Sequence, residues 1–173
     1  MIPGVLNACD FSRFDCVADI GGGKGHLLRA ILDSAPNTRG ILFDQPHVVA
    51  SAPASDRIQI VGGDFFRGGI PCSNAYILMQ VIHDWNDDQA RQILQSVRQT
   101  AREGDHLLLI EYVMPETSQD HPAHGLDILM LVFIGGKERT RTEFAALLES
   151  AGFALNRVVP TETGHSILEA VAI

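Results

Sequence analysis

The sequence predicts a doubly wound α/β sandwich: a mostly parallel seven-stranded sheet that ends in an antiparallel C-terminal hairpin. Three observations carry this. Short apolar runs alternate with segments of helical period, and the first run ends in a glycine-rich turn. The C-terminal residues then hold two extended runs with no helix between them.

The elements follow in order. Cys16–Ile20 is a short apolar run that stops at Gly21 and reads as a buried strand. Leu27, Leu28, Ile31 and Leu32 recur at helical spacing until Pro36 ends the pattern. Further strands are read at residues 40–43, 58–61 and 75–79. Asn86 and Asp87 can cap a helix with Ala90, Ile93, Leu94, Val97 and Ala101 on one face. Residues 106–110 form a fifth strand, residues 114–124 an exposed loop rich in Pro, Ser, Thr and His, and residues 126–133 a helix. Thr140 and Glu143 fit a capping box for a helix that carries Phe144, Leu147, Leu148 and Ala151 to Gly152. Residues 153–159 and 166–173 join around Gly164 as a hairpin. Continuous apolar runs are what strands covered on both faces by crossover helices require.

Composition removes several classes of function. With 46% hydrophobic residues and no long polar tract, the 173 residues are those of a folded single domain, not a disordered chain. No apolar run of about 18 residues or secretory signal is visible, so no membrane partner is expected and the default location is cytoplasmic. Thirteen basic residues against twenty-one acidic ones leave a net charge of -8, without the basic footprint of a nucleic-acid binder. Cys9, Cys16 and Cys72 lack CxxC spacing and read as free thiols. His121 and His124 stand three apart without a further convincing ligand, and no metal is expected.

The turn Gly21-Gly22-Gly23-Lys24-Gly25 sits where a strand passes into a helix, a place where backbone N–H groups can approach a ligand closely. Its GxGxG spacing disfavours a nicotinamide or flavin dinucleotide, and taken alone it is also compatible with a plain tight turn. Asp44 ends the second strand nineteen residues after Gly25, where a carboxylate can accept from ribose hydroxyls. Asp64 and Phe65 follow the third strand and could bind and stack on an adenine. Either aspartate by itself is more often a turn or cap residue, but three such features on consecutive strand ends favour a nucleoside site. His83, just past the fourth strand, has a side chain whose ordinary pKa of about 6.5 suits a general base. Its alternative is a capping or surface role. Glu111 ends the fifth strand, where a carboxylate seldom sits without a partner.

The blocks VADIGGGKG, FDQP, GGDFF, VIHDWND, LLLIEYVMP, DILMLVFIGGKERT and EFAALLESAGF run in one order across nearly the whole chain. In this the sequence resembles the S-adenosylmethionine-binding domain of small-molecule O-methyltransferases, of the caffeate, isoflavone and bacterial polyketide type. The resemblance implies a Rossmann-like class I methyltransferase fold with a reversed final strand. It also implies S-adenosyl-L-methionine as cofactor, S-adenosyl-L-homocysteine as product, and a small hydroxylated acceptor, aromatic or polyketide-like. His83 matches the family's base, with Glu111 and Glu138 as flanking acids; Glu138 has an ion pair with Arg139 or Arg141 as its alternative. Gly21, Gly22, Gly23, Gly25, Asp44, Gln45, Asp64, Phe65, Met79 and Gln80 fall at cofactor positions, and Asp84, Met130, Phe133 and Ile134 at acceptor positions. Asp84 has helix capping as its alternative, and Met130 and Phe133 core packing. Met79 and Gln80 stand where many relatives carry a basic residue, which leaves contact with the methionine end of the cofactor open.

A base matters to the choice of acceptor. A phenol of pKa ~10 is ionised only about one part in a thousand at pH 7, a deficit of about 4 kcal/mol that a positioned base can recover. Relatives carry an N-terminal dimerisation domain, whose absence from residues 1–173 is expected here, with a homodimer expected for the full-length enzyme. Two other readings stay open: a cofactor-binding domain inactive without that half, and an oxidoreductase with an unusual glycine loop. An amino-methylating nucleic-acid enzyme is disfavoured, since no Asn/Asp-Pro-Pro-aromatic motif stands at the fourth strand end.

Overall fold

A computed structural model describes residues 1–116 and 136–173. Five strands, β1 (Cys16–Ile20), β2 (Arg39–Asp44), β3 (Ile58–Gly62), β4 (Ala75–Met79) and β5 (His106–Glu111), lie parallel in one sheet. A two-residue strand β6 (Val113–Met114) pairs with β7 (Arg139–Thr140) outside it. The hairpin strands β8 (Phe153–Pro160) and β9 (Ser166–Ala172) complete the main sheet in the order β3-β2-β1-β4-β5-β9-β8, with β9 antiparallel to both neighbours. The fold class and the hairpin are as the sequence predicts, and the strand ends move by at most two residues. The helices are α1 (Ile2–Ala8), α2 (His26–Ser34), α3 (Pro46–Val49), α4 (Asp87–Arg98) and α5 (Arg141–Ser150).

The strands are apolar throughout because both faces are covered. Along β4, Tyr76 and Leu78 join the core under α4 and α5, whereas Ala75 and Ile77 join the core under α1 and α2. Asn86 caps α4 by accepting from the Gln89 N–H at 3.0 Å, and Thr140 with Glu143 completes the capping box of α5. Asp84, for which capping was one expected role, does not cap α4. The helix read at 126–133 and most of the loop read at 114–124, with His121 and His124, lie outside the described residues; Met114 itself belongs to β6. Among the described residues no helix is long and apolar enough to cross a membrane.

The sequence reading missed α1 and the β6–β7 pair, as well as the four-residue α3. The first is seven residues long with Gly4 inside it, too short for a periodic signal. The second is two residues per strand, below any pattern.

Strand order reverses between β1 and β4, so the carboxyl ends of these strands frame a crevice. In open α/β sheets ligands bind at such a switch point.

Candidate active site

The glycine turn leaves β1 with Gly21, Gly23 and Gly25 all in the left-handed region, at φ 72°, 60° and 76°. Gly22 is required for another reason: a β-carbon there would lie 2.6 Å from Asp19 Oδ2 and 2.7 Å from Leu42 Cδ1. Asp19 is 2% exposed directly beneath the turn. Burial, then the charge of Asp44, pushes its carboxyl up to about 7, against the Leu28 backbone N–H, which favours the charged form.

Asp44 holds the turn from β2. Its Oδ2 accepts from the Gly23 N–H at 2.8 Å and its Oδ1 from the Gln45 N–H at 2.6 Å, which fixes the carboxylate at the strand end. A cavity of about 560 Å³ opens beside it, lined by Asp44, Gln45, Asp64, Phe65, Phe66 and Trp85 among others. The volume falls in the range of small-molecule sites. Phe65, Phe66 and Trp85 meet edge to face, with ring centroids 4.8 to 6.0 Å apart, and form an aromatic wall. Asp64 Oδ1 accepts from the Phe66 N–H at 2.9 Å, closing the turn that presents Phe65. Of the ten expected cofactor residues, Asp44, Gln45, Asp64 and Phe65 line this cavity; the four glycines, Met79 and Gln80 stand outside it.

At the end of β4, Gln80 takes φ 53°, the left-handed region, as a non-glycine residue. The turn it makes points the Val81 and Ile82 N–H groups at Glu111 Oε1, at 3.1 and 2.9 Å. A single helical turn, Ile82–Asp84, then presents His83. His83 is 8% exposed; its Nδ1 lies 3.4 Å from both Glu111 Oε2 and Glu138 Oε1, and its Nε2 3.2 Å from Asp84 Oδ1. The β6–β7 pair accounts for this convergence. It joins Val113 to Arg139, which carries Glu138 alongside the chain just past Glu111.

Both glutamates are buried, Glu111 completely. Burial pushes the Glu111 carboxyl up to about 7, while His83 and the Val81 and Ile82 N–H groups hold it down. Burial draws the His83 pKa down, but Glu138, Glu111 and Asp84 together outweigh it and the net shift is upward. At 3.4 Å the Nδ1 contacts are charge attractions longer than ordinary hydrogen bonds. Nδ1 faces two buried carboxylates and Nε2 a single half-exposed one, an arrangement that favours the proton on Nδ1.

Three expected site residues, Met130, Phe133 and Ile134, lie outside the described residues. Two features went unread in the sequence. His165, at the tip of the β8–β9 hairpin, is buried with its ring on Tyr112 at 3.9 Å between centroids, and the Gln80 amide nitrogen lies 2.9 Å from its Nε2. Burial chiefly lowers its pKa, so the ring is neutral and accepts from the amide. Arg139, expected as one possible partner of Glu138, instead pairs with Asp87 at 2.9 Å. A histidine after a Thr-Gly turn carries no sequence signal, because only the β5–β9 pairing brings it to Gln80.

A family model described as the O-methyltransferase domain matches residues 1–154. The chain belongs to this O-methyltransferase family. The domain is 46% identical over 173 residues to the phenazine O-methyltransferase PhzM of Lysobacter antibioticus, covering 96% of this chain and 51% of that protein. It superposes on human N-acetylserotonin methyltransferase in complex with S-adenosylmethionine with a TM-score of 0.91 at 32% identity, over 99% of this chain and 51% of that one. An O-methyltransferase from neocarzinostatin biosynthesis, crystallised with S-adenosyl-L-homocysteine and 1,4-dihydroxy-2-naphthoic acid, matches with a TM-score of 0.88 at 32% identity, over 99% and 53% of the two chains. The domain spans about half the length of the curated relatives it matches.

Proposed function

We propose that the domain binds S-adenosyl-L-methionine at the β1–β4 crevice and directs its methyl group to a hydroxyl of a small aromatic or polyketide-like acceptor, with His83 as general base. The observation that carries this reading is the buried imidazole with Nδ1 held between Glu111 and Glu138 at a strand end beside a nucleoside-sized cavity.

The residues fit the cofactor. Asp44, fixed by two backbone N–H groups, keeps lone pairs for ribose hydroxyls, and the aromatic wall suits an adenine face. A β-carbon at Gly23 would stand in open space, so a glycine there leaves that side of the turn clear for close approach. Bound there, S-adenosyl-L-methionine supplies a methyl carbon activated by a sulfonium leaving group. His83 Nε2 takes the acceptor proton, so that the oxygen lone pair is free to form the new C–O bond as the C–S bond breaks. Glu111 and Glu138 hold the ring in the tautomer that leaves Nε2 open and stabilise the imidazolium that results. Asp84 stands on the Nε2 side, where an acceptor hydroxyl is received.

Titration calorimetry tests the cofactor assignment. S-adenosyl-L-homocysteine should bind, and bind more tightly than NAD; the reverse order would favour an oxidoreductase. Binding of S-adenosyl-L-homocysteine without any methyl transfer would favour a cofactor-binding module.

A further inference from the structure

We infer that Arg139 is the positioning residue that fixes His83 against Glu138. The inference rests on the reading of His83 as the base, and it concerns how the base is held.

The observation is a charged side chain with no exposed surface, whose donors are spent on backbone. Arg139 Nη1 donates to the Ile82 carbonyl at 3.2 Å and the Lys137 carbonyl at 3.0 Å, and Nη2 to the Trp85 carbonyl at 2.8 Å. Among the described residues only Nε faces a carboxylate, Asp87 Oδ1 at 2.9 Å, and that carboxylate is 52% exposed. Burying a guanidinium is costly unless its donors are satisfied. Here they are satisfied by two stretches: residues 82–85, which carry His83, and residue 137, which precedes Glu138.

The same joint is closed by the chain itself. The Lys137 N–H donates to the His83 carbonyl at 2.9 Å, and a β-carbon at Gly136 would overlap that carbonyl oxygen. Ile82, the residue before His83, is thus held at both ends, its N–H by Glu111 and its carbonyl by Arg139. A planar fork reaches three carbonyls at once, and a lysine ammonium is a point charge that cannot. Conserving charge at this position is therefore not enough to conserve the geometry.

The test uses the His83 titration, followed by NMR of the imidazole and assigned by its loss in His83→Asn. Among the described residues the charged groups facing the ring are Asp84, Glu111 and Glu138, with His165 close by. In Arg139→Lys the positive charge remains, so any change reports geometry. The His83 pKa should fall from its raised position toward the ordinary value of about 6.5, in protein that still melts cooperatively and still saturates with S-adenosyl-L-homocysteine. Asp87→Ala, which leaves the three carbonyl bonds in place, should keep the parental titration. Gly136→Ala strikes the same joint with Arg139 intact and should lower the His83 pKa in the same way, which keeps the test open if Arg139→Lys does not fold. A folded Arg139→Lys or Gly136→Ala protein with the parental His83 titration overturns the inference. Failure of the base assignment would show elsewhere, as unchanged turnover in His83→Ala.

Discussion

Replacing Asp19 by Asn should flatten the dependence of stability on pH. Asp19 is buried beneath the glycine turn with its pKa pushed up to about 7, from an ordinary carboxylate value of 3.8. A carboxyl whose folded-state pKa is raised favours folding below the unfolded value, and that advantage is lost as pH climbs to the folded value. From 3.8 to about 7 the loss is about 4 kcal/mol at 1.36 kcal/mol per pH unit, of which about 3 kcal/mol falls between pH 5 and pH 7. Asn has the shape of the protonated acid and cannot ionise, so this part of the slope disappears. Glu111, raised to about 7 by burial, contributes a similar slope to both proteins and cancels in the difference. Urea unfolding of parent and Asp19→Asn at pH 5, 6, 7 and 8.5 measures it. The variant should gain about 3 kcal/mol on the parent across that range. Parallel pH profiles would show that Asp19 is ionised in the folded protein and refute the reasoning.

Two further substitutions probe the nucleoside side. Gly22→Ala places a β-carbon 2.6 Å from Asp19 Oδ2 and 2.7 Å from Leu42 Cδ1, and should cost about 1–3 kcal/mol by urea unfolding while weakening S-adenosyl-L-homocysteine binding; a parental midpoint would mean the turn has slack. Asp44→Ala should weaken S-adenosyl-L-homocysteine by roughly 10- to 100-fold in calorimetry, the loss of charge-assisted hydrogen bonds worth about 1.5–3 kcal/mol. Unchanged affinity would move the ribose away from β2.

The fold was legible because its strands are buried on both faces. Runs such as Ile77–Leu78 and Leu107–Ile110 are apolar throughout, and a helical period follows β1 and β4. Local chemistry was legible too: Asn86 and Thr140 cap as their side chains require. His83 and Glu111 were readable singly, as polar residues where apolar strands end. What a sequence hides is convergence. That Glu138 reaches the same nitrogen as Glu111 depends on a two-residue strand pair, and that His165 reaches Gln80 depends on a hairpin folding back on β5. Arg139 was unreadable for a related reason, since its partners are mainly backbone carbonyls, which carry no sequence signature.

The central claim is that His83 removes the acceptor proton. The most direct measurement is methyl transfer from S-adenosyl-L-methionine to a phenolic acceptor by the complete enzyme, parent and His83→Ala, as a function of pH. In the parent the rate should rise with pH through the raised His83 pKa, because only the neutral ring can accept a proton. In His83→Ala the rate near pH 7 should fall by roughly 10²- to 10⁴-fold with S-adenosyl-L-homocysteine affinity unchanged, and recover toward pH 10 as the phenol ionises unaided. Equal turnover of the two proteins at neutral pH would remove His83 from the reaction.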